Sequence, residues 1–166
     1  QDPGTLVLDK ISDRDTGPLV TGIAGKKGFL SIEIVKRNMS TMVGIVSGAL
    51  DVLNKYGVSI EHLPSGIDSF NVVVNKKDVE HILSEIKQAI APDSIRVPEP
   101  IALIAVVGRN MNARVGSSAK LFGALAEANV NIRMISQGSS EIDIIVGVSQ
   151  QDFSKAVQAL YNTFTK

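Results

Sequence analysis

Apolar residues recur along this chain in two periods, and the alternation between the periods marks the elements. Ile32, Glu33, Ile34 and Val35, and later residues 101–107, are β-branched apolar runs of strand length. Helical spacing follows each run, with Val43, Val46, Leu50 and Leu53 in one case and Ala119, Phe122, Leu125 and Ala126 in the other. Gly57 and Asn129 then stand where a helix must stop, and both residue types tolerate the left-handed conformation that stops it. Val58 with Ile60, and Val130 with Ile132, open a second strand by alternation. Turns at Pro64-Ser65-Gly66 and at Gln137-Gly138-Ser139-Ser140 lead into third strands over 70–74 and 142–148. Asn75 with Asp78, and Ser149 with Asp152, are capping pairs. They precede the helical stripes Val79, Ile82, Leu83, Ile86 and Phe153, Ala156, Val157, Leu160, Phe164.

The two halves are one motif used twice. A shift of 72 positions aligns residues 37–74 with 109–146 without a gap. Ten pairs are identical, including Arg37/Arg109, Asn38/Asn110, Met39/Met111, Val43/Val115, Gly44/Gly116, Leu53/Leu125 and Gly66/Gly138. Each unit reads strand, helix, strand, strand, helix, and the first adds a strand near 95–98. That order predicts an α+β fold of two ferredoxin-like βαββαβ units. The second unit ends without a fourth strand, whereas Leu19-Val20-Thr21-Gly22-Ile23-Ala24 precedes the first unit and has no partner there. The early segment is therefore expected to pair in the second unit's sheet, which makes the first unit an insertion within the second. The expected division is a linker over 1–16, unit 1 over 30–99, and unit 2 from 17–29 plus 100–166.

Composition narrows the function. Seventeen Lys and Arg balance seventeen Asp and Glu, 44% of the chain is hydrophobic and 20% charged, as in a globular protein with a sizeable core. A neutral chain has no bulk electrostatic attraction for nucleic acid or an acidic membrane, and the central strands lack the aromatics of an RNA-binding sheet. No uncharged stretch reaches the roughly 18 residues of a spanning helix. With no cysteine there is no disulfide, thiolate metal site or thiol nucleophile, which suits a cytoplasmic protein. The chain opens on Gln1, and Asp2-Pro3-Gly4 reads as a turn inside something longer, so a fragment is expected.

Little catalytic chemistry remains. Gly22-Ile23-Ala24-Gly25-Lys26-Lys27-Gly28 has the wrong spacing for a phosphate loop and no Ser or Thr after the lysine, so a strand end followed by a basic turn is expected. His62 reads as a half-buried strand histidine and His81, near Glu80 and Glu85, as part of a solvated helix face. No catalytic or metal-binding residue is assigned. The loop Asn38-Met39-Ser40-Thr41-Met42-Val43-Gly44 has more to offer, because it delivers backbone N–H groups at a helix start that favours a carboxylate or phosphate. Gly44 permits close approach to the backbone. Facing it are expected Ser59, Glu61, Ser65 and Asp68, so a carboxylate on the helix end and an ammonium on Glu61 or Asp68 would make an amino-acid pocket. A tight turn with surface carboxylates is the alternative.

The tandem units, together with Asn38-Met39, the stretch Ser59-Ile60-Glu61-His62-Leu63-Pro64-Ser65-Gly66-Ile67-Asp68 and the second-unit stretch over 129–141, resemble the ACT-domain regulatory region of the aspartate kinase family. Asp2-Pro3-Gly4-Thr5-Leu6 resembles the junction that follows the catalytic domain. The resemblance implies a parent enzyme that phosphorylates aspartate, with ATP and magnesium held by a kinase domain outside this chain, and a fragment without activity or cofactor of its own. It implies feedback sensing of L-lysine at an interface between unit 1 and its copy in a homodimer, with L-threonine, or assembly without a ligand, as alternatives. The residues it implies for the effector are Asn38, Met39, Gly44, Ile45, Val46, Ser59, Ile60, Glu61, Ser65, Gly66 and Ile67. Ile45 departs from the aromatic expected after that glycine. Arg133 replaces Glu61 in unit 2, a cation that implies a structural or interface role there.

Overall fold

A single strand, β1 (Val20–Val35), runs through both units. The computed structural model describes residues 18–75, 79–108, 111, 114–138 and 142–164. After β1 come a short 3-10 turn (Met39–Thr41), α1 (Ile45–Lys55), β2 (Ile60–His62), β3 (Ser69–Asn75), α2 (Glu80–Ile90) and β4 (Ser94–Arg96). The second half supplies β5 (Ile101–Gly108), α3 (Ser117–Glu127), β6 (Ile132–Ser136), β7 (Asp143–Ser149) and α4 (Phe153–Phe164). Among the described residues these strands form one antiparallel sheet in the order β2-β3-β1-β5-β7-β6, with β4 also on β1.

The early segment pairs where the sequence places it: Val20, Ile23 and Ala24 lie opposite Gly108, Val106 and Ala105 of β5. The expected turn over Gly22–Gly28 is absent, because those residues continue the strand. Gly28, at φ 95°, marks a bulge between the Lys27 and Phe29 pairings that reorients the chain without ending it. Beyond the bulge β1 pairs β3 on one side and β4 on the other, with Glu33 opposite Arg96. Thus β1 and the β4–β5 strand form a long ribbon, in which each is the outer strand of one unit and the first strand of the other.

All four helices cover one face of this sheet. Ile32, Ile34, Phe70, Val72 and Val74 bury against Ala49, Leu53, Ile82 and Ile86 of α1 and α2. Ile104, Val106, Ile144, Val146 and Val148 bury against Leu121, Leu125, Ala156 and Leu160 of α3 and α4. Burying each large aliphatic or aromatic side chain is worth about 1.5–3 kcal/mol. α4 also rests on β1 itself, where the space beside Gly25 is filled by the Phe153 ring.

The helices differ from the expected stripes at their starts. Val43 and Val115 are fully exposed, at 101% and 102%. The reason is the left-handed glycine after each: Gly44 (φ 90°) and Gly116 (φ 87°) hold the N-cap positions, so the helix begins one residue later. In α3 the bulky Leu121 and Leu125 take the core while Ala119 and Ala126 face solvent. The helix ends repeat faithfully. Val58 and Val130 donate back to the Leu53 and Leu125 carbonyls at 3.0 and 2.9 Å, across left-handed Gly57 and Asn129. Ser149 and Asp152 form the expected cap, the Asp152 amide donating to Ser149 Oγ at 3.1 Å. The counterpart Asn75–Asp78 pair falls partly outside the described residues.

A polar clamp ties α1 to α2, since Glu85 accepts from Lys55 Nζ at 2.7 Å and from the Tyr56 hydroxyl. Those donors, Lys55 first, hold the Glu85 carboxyl below its usual range. The Asp152 carboxyl is lowered too, by the Ser149 hydroxyl and then by Lys155. A carboxylate with a depressed folded pKa stabilises the fold above its unfolded pKa of about 4, and the contribution is lost as pH falls through the folded value. Stability should therefore be level above about pH 5 and fall below about pH 4. Urea midpoints measured against pH should show a shallower acid decline for Glu85→Gln with Asp152→Asn; an unchanged decline would count against both clamps.

Candidate functional site

The loop that carries the candidate residues is fixed by two carboxylates. The chain leaving β1 donates its Lys36 amide to the Asp68 carbonyl and its Asn38 amide to Asp68 Oδ1, both at 2.8 Å. Between them the Arg37 amide donates to Asp93 Oδ2 at 2.7 Å, and Arg37 Nε lies 3.5 Å from the same oxygen. That amide, and then the guanidinium charge, hold the Asp93 carboxyl below its usual range. Asn38 is left-handed at φ 59°, which Asn tolerates, and its carbonyl accepts from the Thr41 amide and hydroxyl at 3.0 and 2.9 Å. The β1–α1 loop is thereby pinned against the β2–β3 turn.

The sequence-predicted residues separate into three groups. Met39 and Ile45 are buried in the unit 1 core, with Val46 and Ile60 packed at its margin. Their side chains shape the floor of the loop. Gly44, Ser59, Glu61, Ser65, Gly66 and Ile67 are exposed. Gly66 closes the turn by donating to the Ser69 carbonyl at 2.7 Å, and Ser65 bridges Phe70. Ser59 and Glu61 lie before and within β2, the outer strand on that side of the sheet. Asp68 already accepts a backbone N–H, a capping job that its place in the sequence did not reveal. His62 is the half-buried strand residue expected.

Electrostatically, the start of α1 is uncovered. It has no side-chain cap and no acidic residue in its first turn. Its leading amides are positive and point toward the loop. Apolar side chains are exposed on the two segments that meet here: Met42, at 44%, and Val43 on the β1–α1 loop, and Leu63 and Ile67, at 75%, on the β2–β3 turn. Exposed apolar groups beside uncapped amides suit a ligand or a partner surface. Asp68→Ala removes the acceptor for the Asn38 amide and is expected to cost about 1 kcal/mol. Amide exchange at Asn38 should then accelerate; unaltered protection there would show that the carboxylate does not hold the loop.

Unit 2 repeats the backbone without repeating the chemistry. Gly116 copies Gly44, and Ser117, buried at the head of α3, donates its hydroxyl to the Arg114 carbonyl at 2.7 Å. Arg133 is exposed on β6. Asn110 and residues 139–141 lie outside the described residues.

A cleft elsewhere carries no signal in the sequence. On the helix-free face, a cleft of about 400 Å³ opens between the units, lined by Ser31, Glu33, Asn71, Glu99, Arg133 and Ser149, with Ile101 and two prolines. It contains none of the residues predicted for the effector. Its lining comes from five separate stretches of chain, so no local spacing announces it. Among the described residues there is no cluster of His, Cys, Asp and Glu able to hold a metal, and no helix long and apolar enough to cross a membrane.

Comparison with known proteins gives a consistent answer. The ACT domain family matches residues 104–164. Aspartokinase 3 of Bacillus subtilis is 40% identical over 97% of this chain, which covers 36% of that protein. The crystal structure of Clostridium acetobutylicum aspartate kinase superposes with a TM-score of 0.85 at 47% identity, over 92% of this chain and 36% of that one. A crystal structure of aspartokinase alpha and beta subunits matches with a TM-score of 0.77 at 27% identity, over 89% of this chain and 99% of the matched one. The chain thus spans about a third of the length of its full-length bacterial relative.

Proposed function

From the premise that this chain is two ACT units similar throughout to the regulatory region of aspartate kinases, we propose that it senses an end-product amino acid and feeds its level back to a kinase active site. The carrying observation is the loop that Asp68 pins beneath the uncapped start of α1. The leading amides of α1 receive the effector's carboxylate, and Ser59 and Glu61 on the open β2 edge receive ammonium groups. Asp68 holds the loop rather than the ligand. L-lysine is the favoured effector because its second ammonium has use for Glu61; L-threonine would need no such partner.

The exposed Met42, Val43, Leu63 and Ile67 support a second part of the reading, that unit 1 pairs with its copy in a homodimer and the effector sits at that seam. A ligand shifts an enzyme only by binding one arrangement better than another, and a seam between subunits supplies two arrangements. The coupling expected is about 1–3 kcal/mol, or roughly 5–150-fold in activity of the parent enzyme. That parent would phosphorylate aspartate with ATP and magnesium in a separate domain. The test is calorimetric titration with L-lysine and L-threonine, on the chain and on Glu61→Ala. Losing an ammonium's charged partner should weaken lysine by about 1.5–3 kcal/mol and leave threonine unmoved. Equal lysine affinity in the two proteins would remove Glu61 from the site, and heat with threonine alone would overturn the effector.

A further inference from the structure

The cleft on the helix-free face lies at the joint of the two units and is independent of the helix-start loop. Its walls are built from the outward-facing residues of the sheet. Ser31 and Glu33 of β1 and Asn71 of β3 come from unit 1, and Arg133 of β6 and Ser149 of β7 come from unit 2. The connection from β4 to β5 crosses between them as Pro98-Glu99-Pro100. One lining residue, Ile101, also belongs to a third core cluster with Phe29, Val73, Leu103 and Met134, all of them strand residues. Ile101 and the two prolines give the cleft its apolar surface, and the rest of its lining is polar.

The charges on that rim are unequal in their freedom. Glu33 is spent, its carboxylate 3.0 Å from Arg96 Nε. Ser31 donates to Asn71 at 3.3 Å, and Ser149 is engaged with Asp152. Glu99 and Arg133 remain. Among the described residues neither forms a salt bridge, although the Arg133 charge is felt by the Asp152 carboxylate nearby, and both line the same space. Glu99 is also preset, because a proline on each side restricts its backbone. A carboxylate and a guanidinium without salt-bridge partners, lining a common cleft, are complementary to a zwitterion, and about 400 Å³ falls within the size range of small-ligand sites.

We propose that this cleft binds a neutral amino acid, with its carboxylate on Arg133, its ammonium on Glu99, and a short side chain against Ile101 and the Ser31–Asn71 pair. Because Glu99 belongs to the connection and Arg133 to unit 2, the ligand bridges the two halves. The joint it bridges is the irregular part of the ribbon, where Gly28 bulges out of register on one strand and Pro98 to Pro100 interrupt the other. Occupancy of the cleft would fix the angle between the units from the face opposite the helices.

The test is calorimetric titration of the full chain with L-threonine and L-valine, repeated with the methyl ester and the N-acetyl derivative of L-threonine. The variants are Arg133→Ala, Arg133→Lys, Glu99→Ala and Glu61→Ala. Saturable binding of a neutral amino acid is expected, at least tenfold weaker in Arg133→Ala and in Glu99→Ala, and several-fold weaker in Arg133→Lys, which keeps the charge but loses the fork. The ester and the acetyl derivative should each fail to bind. Both charged side chains are exposed, so the variants should melt with the parent. Absence of saturable binding overturns the proposal. So does binding that Glu61→Ala abolishes and Arg133→Ala leaves intact, because that ligand would sit at the helix-start loop. The lysine titration of Glu61→Ala reads the other site separately, so the failure of one site is distinguishable from the failure of the other.

Discussion

Phe70→Ala is expected to cost about 3–5 kcal/mol and to lower the stability of both units together. Phe70 has no exposed surface and sits on β3 among Ile34, Val72 and the helices of unit 1. Truncation leaves a cavity that neighbours in a close-packed interior fill only in part. That the loss should spread follows from the sheet. β1 serves both units, with Phe29–Val35 on β3 and Val20–Phe29 on β5, and Phe29 and Val73 bury against Ile101, Leu103 and Met134, so unit 1 cannot unfold without uncovering part of unit 2. Urea unfolding followed by circular dichroism and by a fluorophore placed in unit 2 should give coincident transitions, both shifted in the variant. A unit 2 transition that stays in place would mean that the ribbon does not couple the halves.

Much of this arrangement was legible in the sequence, and for a physical reason. A repeat forces like elements into like order, and the surplus strand at the front could be assigned to the deficit at the back. Burial of one face of each strand and one stripe of each helix then follows from alternation alone. The sequence misled where glycine was ambiguous. Gly22, Gly25 and Gly28 beside two lysines look like a turn. In the structure Gly25 makes room for the Phe153 ring and Gly28 forms a bulge, both roles set by neighbours more than a hundred residues away or across the ribbon. Gly44 reads in the sequence as a point of close approach, but its left-handed backbone also takes Val43 out of the predicted helix and onto the surface, and Gly116 does the same beside Val115.

The candidate site was legible only in part. The loop, its turn and the helix start beside them were readable, because a helix start and a β-turn are local features. That Asp68 would spend a carboxylate oxygen on the Asn38 amide was not, since thirty residues separate them and nothing between fixes their approach. The cleft between the units was further out of reach. Glu99 and Arg133 carry no motif, and what makes them a pair is the folding of the ribbon that sets both on one face.

The ribbon has a close contact that offers the other large effect. Gly108, last residue of β5, lies opposite Val20, and a Cβ built there would fall 2.0 Å from the Leu19 carbonyl oxygen and 2.6 Å from Met111 Sδ. The sulfur could swing aside, but the carbonyl belongs to the backbone. Gly108→Ala should therefore push the start of β1 off β5, at the upper end of the usual overpacking cost, about 3 kcal/mol. The amides of Val20 and Gly22 should lose exchange protection, while those of β3 facing Ile32 and Ile34 keep theirs, because the bulge at Gly28 separates the two pairings. If the variant matched the parent in stability and in exchange at Val20, Leu19 would not be seated on β5. The early strand would then contribute nothing to the second unit, and the insertion of one unit within the other would lose its structural basis.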